Sequence, residues 1–163
     1  MDRELRIGLR QEWSEVQRVN EQTLQFLRTC GLPEDTVDTL TMVSCELVEN
    51  AIKYSSRGGN DEECIDLLLT VDEPLLTVHV TNPIGEGSHH HLRQLDRTLQ
   101  WVRGFQDPFQ AYMERVREIS RELMSSNRSG LGIVRIAYEA RATIDFIVGE
   151  DDTLSVSAVA EIR

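Results

Sequence analysis

Residues 64–83 read CIDLLLTVDEPLLTVHVTNP. Two apolar, β-rich runs flank a turn signal at Asp72-Glu73-Pro74, and the second, Leu75 to Thr81, stops at Asn82-Pro83. No helical crossover fits between the runs, so they read as an antiparallel pair rather than part of a doubly wound parallel sheet. ATIDFIVG (142–149) and TLSVSAVAEI (153–162) repeat the arrangement around Glu150-Asp151-Asp152. ELRIGLR (4–10) alternates Leu5, Ile7 and Leu9 with Arg6 and Gly8, a half-buried strand pattern.

Helical periodicity fills the rest. In residues 14–31, Val16, Val19, Leu24 and Leu27 share one side, Ser14 with Gln17 suits an N-terminal capping box, and Gly31 suits the stop. A second helix starts near Pro33 and runs toward Gly58-Gly59, with Leu40, Ser44, Leu47, Ala51 and Tyr54 on one face. IGEGSHHH (84–91) reads as a loop. Leu92 to Met124 reads as helical with a break near Gly104 to Pro108, and a last helix spans Ile133 to Ala140. The order β-α-α-β-β-(helical insert)-α-β-β predicts an α+β two-layer sandwich, a mostly antiparallel sheet with helices on one face. A single domain over residues 1–163 is expected, with a long helical insert at about 88–129.

The 163 residues are 40% hydrophobic and 28% charged, an ordinary globular composition. A formal net charge of −11 argues against a nucleic-acid partner, which is usually met by a basic patch. Cys30, Cys45 and Cys64 are odd in number and form no Cys-x-x-Cys, so a reducing cytoplasm fits better than a disulfide framework. No apolar stretch approaches the roughly 20 residues of a membrane span, and MDRELRIGLR has no signal-peptide core. His89 to His91 lie side by side without a partner at metal-ligand spacing.

One helix carries an unusual polar set. CELVENAIKY (45–54) places Glu46, Asn50 and Lys53 within about 60° of one another on the helix surface. An ordinary solvated face would look the same. Two glycine-bearing loops favour a ligand: TNPIGEG (81–87) directly after a strand, and NRSGLG (127–132) directly before a helix. Glycine lets backbone approach a ligand closely, and a helix start offers free N–H groups to phosphate. A carboxylate and an amide one turn apart suit hydrated Mg²⁺, which takes oxygen ligands while gripping phosphates.

Taken in order, these motifs resemble those of the GHKL (histidine-kinase-like) ATP-binding superfamily. ELVENAIKY resembles its N-box, VTNPIGEG stands where its G1 box (Asp-x-Gly-x-Gly) belongs, and RSGLG resembles its G2 box. The short build, with a strand and helix ahead of the N-box, is most similar to the anti-sigma-factor serine/threonine kinases of bacterial partner-switching systems. The resemblance implies ATP and Mg as cofactors, a small STAS-type anti-sigma-factor antagonist as phosphorylated partner, and a sigma factor or other effector as the regulated one. It leaves a homodimer open and implies no membrane partner. Carried over by position, Glu46 is the general base, Asn50 the Mg ligand, and Lys53 a residue near the phosphates. Gly130, Leu131 and Gly132 form the G2 turn, and Arg128 with Ser129 leads into it at the terminal phosphates. Asn82, Gly85 and Gly87 line the adenine side. Two positions depart from the pattern. Asn82 replaces the aspartate that receives the adenine amino group, keeping a carbonyl acceptor without the charge. Ile84 replaces the first G1 glycine. Those departures also suit a different class of protein, a catalytically weak interaction module on the same fold.

Overall fold

The computed structural model describes residues 3–56, 62–85, 89–104, 113–114, 130–149 and 151–162. The central element is the hairpin of β2 (Ile65–Asp72) and β3 (Leu75–Pro83). Ile65, Leu67, Leu69 and Val71 from β2 and Leu76, Val78 and Val80 from β3 are buried, and they alternate with exposed or half-buried neighbours. That two-residue period puts seven apolar side chains on one face and polar ones such as Asp66 and Thr77 on the other. β1 (Arg3–Leu9) pairs antiparallel with β2, and β5 (Thr153–Glu161) pairs antiparallel with β3. β4 (Thr143–Val148) then adds outside β5, giving a five-stranded antiparallel sheet of order β1-β2-β3-β5-β4.

Helices cover the apolar face, so the architecture is the expected two-layer α+β sandwich. α1 (Glu15–Thr29) buries Val19, Thr23 and Leu27 against β1 and the following helix, Glu34–Tyr54. Ser14 has helical backbone and caps no N–H with its side chain, so the expected capping box is not formed. α2 (Glu34–Tyr54) begins one residue after Pro33 and ends at Ser55, before the glycines expected to stop it; Gly58 and Gly59 lie outside the described residues. It is the buried spine of the molecule. Leu40, Ser44, Leu47 and Ala51 are buried as the periodicity predicts, and Val37, Val48 and Ile52 are buried as well. Contact with the sheet, with α1 and with α4 (Gly130–Glu139) accounts for that wider apolar arc. Gln11 closes its C-terminal end, its side-chain N–H₂ donating to the carbonyls of Ile52 and Ser55, both at 2.9 Å.

The excursion from β3 to β5 differs from the sequence reading in two places. α3 (His89–Arg103) starts three residues before Leu92, so the histidines form its first turn rather than a loop. α4 starts at Gly130, so the G2 glycines lie in a helical first turn instead of preceding it. The N–H groups of that first turn have no intrahelical partner. The remainder of the predicted insert, apart from residues 113–114, lies outside the described residues. Among the described residues no helix is long and apolar enough to cross a membrane.

Candidate functional site

A small cleft opens where α2, the end of β3, α3 and the start of α4 meet. Asn50, Ala51 and Tyr54 reach it from α2, Val80 and Asn82 from β3, His91, Leu92, Leu95 and Thr98 from α3, and Ile133 from α4. Asn82 is the last inward position of β3, in step with Leu76, Val78 and Val80, and is only 2% exposed. Its side-chain N–H₂ donates to the Pro83 carbonyl at 3.2 Å. The chain beyond it is held on two sides: Ile84 N–H donates to the Asp152 carbonyl at 2.9 Å, and Ser56 N–H donates to that of Pro83 at 3.1 Å. A Cβ at Gly85 would stand 3.2 Å from that of Ser56, so this turn packs tightly on the end of α2.

Glu46 lies one turn before Asn50, with its side chain 22% exposed. Its carboxylate faces α4. A Cβ at Gly132 would meet Glu46 Oε2, so a side chain there would make the Glu46 carboxylate shift. Burial first, then the charge of Glu49, raises the Glu46 carboxyl above the ordinary carboxylate range. Arg135 opposes that shift: its guanidinium lies 3.5 Å from Glu46 Oε1 and is braced by Glu139 at 3.1 Å. The neighbouring Cys45 thiol is pushed up to about 11, chiefly by burial, and is therefore a poor nucleophile. Cys30, Cys45 and Cys64 are all free thiols.

The residues singled out by sequence thus fall into three groups. Asn50 and Asn82 line one cleft, whereas Glu46, on α2 one turn before Asn50, faces Gly132 of α4 and does not line it. Lys53 is exposed; its ammonium lies 5.2 Å from the centre of the Tyr54 ring, outside the cleft lining. Gly130 and Leu131 are in the first turn of α4, whereas Gly87, Arg128 and Ser129 lie outside the described residues. Three participants were missed. Arg135 had a signal, since it follows Gly132 by one helical turn. Tyr54 closes the N-box stretch but counts there as core. His91 was hidden in a run read as loop.

α3 determines the shape of the cleft. The His91 ring lies on the Tyr54 ring with centroids 3.8 Å apart and planes tilted by 37°. Leu92 and Leu95 line the apolar side, and the cavity that remains is about 50 Å³. That holds a few water molecules, whereas pockets for cofactor-sized ligands run to about 300–1,000 Å³. The donor set suits a magnesium nucleotide: two amides, a carboxylate, and a helix start carrying glycines. The cleft volume lies below that range. Among the described residues no group of three or more His, Cys, Asp or Glu is placed to hold a metal. Mg²⁺ commonly binds through one or two protein oxygens together with the phosphates, which is the part Asn50 can play.

Docking of α3 is expected to depend on pH. Burial lowers the His91 pKa, the charges of His90 and Lys53 push the same way, and Gln94 opposes them; Tyr54 is the remaining titratable group against the ring. The docked ring therefore favours the neutral form. Its contribution to docking is complete above the ordinary histidine value of about 6.5 and is lost as pH falls below that value. Fluorescence of Trp101 on α3, read in a Trp13→Phe background, should change between pH 7.5 and 5.5. His91→Phe should remove the change, and an identical titration in both proteins would exclude His91 as its source.

No protein-family model matches the chain, and no curated protein matches it significantly. A chain in the crystal structure of the SiaB-SiaC complex from Pseudomonas aeruginosa superimposes on it with a TM-score of 0.66, covering 97% of this chain and 88% of that chain at 16% sequence identity. Likeness at that identity establishes the fold over nearly the full length.

Proposed function

We propose that this chain binds Mg-ATP in the cleft between α2, β3 and α4 and transfers the terminal phosphoryl group to a serine or threonine of a small partner protein, as the anti-sigma-type kinases it resembles do. The observation that carries the reading is convergence. Asn50 from α2 and Asn82 from β3 share one cleft, and Glu46 beside it presses on Gly132 of α4. Segments far apart in sequence come close together here, which supports the reading. The nucleotide supplies the phosphoryl group and its metal. Asn50 would offer its carbonyl oxygen to Mg²⁺, and the first turn of α4 would offer backbone N–H groups to phosphate. Asn82 accepts a hydrogen bond from the base. Glu46, with its carboxyl pKa raised, takes the proton of the incoming hydroxyl, and positioning with charge stabilisation does the rest. The structural neighbour's place in a complex of two proteins supports action through a protein partner; by the resemblance the partners are a STAS-type antagonist as substrate and a sigma factor or other effector as the regulated protein.

A second reading, an interaction module without catalysis, is favoured by one observation: α3 leaves only about 50 Å³ in the cleft. Calorimetric titration with ATP, with and without Mg²⁺, separates the two. The kinase reading expects Mg-dependent binding. Absence of binding at millimolar Mg-ATP would favour the interaction module.

A further inference from the structure

We propose that Arg135 is a positioning residue: braced by Glu139, its guanidinium holds one oxygen of Glu46 and leaves the other, over Gly132, to meet the hydroxyl that attacks the phosphate. The inference rests on the nucleotide reading and adds to it which oxygen takes the proton and what keeps that oxygen in place. Both oxygens of Glu46 are turned toward α4. Oε1 lies 3.5 Å from Arg135 Nη1, and Oε2 fills the space that a side chain at residue 132 would need. Arg135 Nε in turn lies 3.1 Å from Glu139 Oε1. Gly132, Arg135 and Glu139 follow at spacings of three and four, so they stack along one side of α4. A carboxylate gripped at one oxygen presents the other in a fixed direction. Here that direction is the first turn of α4, where the nucleotide reading puts phosphate.

Helix stability does not explain the arrangement. The Arg135 side chain is 42% exposed, and an ion pair as open as that adds little to stability. The pair within α4 has its acid C-terminal to its base, the weaker order. Glu139 is also the last residue of the helix, where the dipole disfavours a negative charge. What the cluster supplies is orientation of Glu46. Glu46 is faced by Cys45 and Glu49 from its own helix and by Arg135 and Glu139 from α4, and the guanidinium is the only cation among those four. In the transfer step the acceptor hydroxyl gives its proton to Oε2 and its oxygen forms the bond to the terminal phosphorus. ADP leaves with the electron pair of the bond that breaks. Arg135 keeps Oε1 engaged, and its charge favours the ionised carboxylate that the step begins from.

The test follows the Glu46 carboxyl carbon of the full chain by NMR, its signal assigned by its loss in Glu46→Gln. In Arg135→Met the ionisation midpoint of Glu46 should move to higher pH, because a cation that favours the carboxylate is gone, and its side-chain methylenes should average over rotamers. Arg135→Lys should restore most of the ionisation but not the side-chain order, since an ammonium is a point charge without the guanidinium's fork. Unchanged ionisation and order in Arg135→Met would overturn the inference and leave the nucleotide reading intact. Gly132→Ala suits a helix, so it should keep the melting temperature while displacing the Glu46 signal; an unmoved signal would overturn the placing of Oε2. Release of labelled phosphate from Mg-ATP to water should fall by up to about 100-fold in Gly132→Ala, the cost of misplacing a reacting group by about 1 Å. Equal rates would remove Oε2 from the step. A parent that binds no Mg-ATP at millimolar concentration, or releases phosphate no faster than Glu46→Gln, overturns the nucleotide reading instead, and the Arg135→Met result then decides the hold on Glu46 by itself.

Discussion

Glu46→Gln is expected to bind Mg-ATP about as well as the parent and to transfer phosphate about 100- to 10,000-fold more slowly, the usual contribution of a positioned general base. Glutamine keeps the shape and the hydrogen-bonding oxygen but takes no proton. The site makes Glu46 suited to the role. Burial and Glu49 raise its affinity for a proton, and Gly132 leaves its carboxylate room against α4. Arg135 at 3.5 Å holds the carboxylate in place and limits the rise. Ground-state binding depends on other groups, so the effect should appear in turnover alone. Transfer of labelled phosphate to the partner protein, measured beside a binding titration, is the check. Equal transfer rates would remove Glu46 from the mechanism.

Asn50→Ala should act on the other quantity. Its amide lines the cleft, one turn after Glu46. Losing it leaves Mg²⁺ short of a protein oxygen, and affinity for Mg-ATP should fall about 10- to 100-fold, as when groups around a bound metal are lost. Binding of ATP without Mg²⁺ should change far less. The fold should persist, because Asn50 is only half-buried and the apolar arc of α2 runs through Leu47, Val48, Ala51 and Ile52. The measurement is calorimetry at fixed ATP and varied Mg²⁺, beside a thermal melt. Unchanged affinity in a folded variant would move the metal elsewhere.

Much of this architecture is legible in local patterns. Alternation in β2 and β3 is strict, and a short turn admits only an antiparallel pair, so the class of fold follows from residues 64–83. The placement of β5 between β3 and β4 is not legible, because no local signal in Thr153 to Glu161 names its neighbours. The start of α3 was missed because three histidines after a glycine-bearing turn carry little helix signal. His91 there meets Tyr54, a contact that spans 37 positions of chain and that no local pattern records. Within residues 45–54 the departure of Lys53 is a matter of angle. At 100° per residue Asn50 stands about 40° from Tyr54, at the edge of the buried arc, whereas Lys53 stands about 100° away among solvated side chains. Spacing alone groups the three polar residues, but burial separates them. The closure of the cleft by α3 depends on volume, which no sequence pattern records.

Amide chemical-shift mapping during titration with Mg-ATP tests the central claim most directly. The account predicts saturable shifts at Asn50, Tyr54, Asn82 and Gly132, with accompanying shifts at His91, Leu92 and Leu95, which line the same cleft. The amides of α1 and β1 should remain unmoved. Unchanged spectra at millimolar Mg-ATP, or shifts confined to residues outside this cleft, would contradict it.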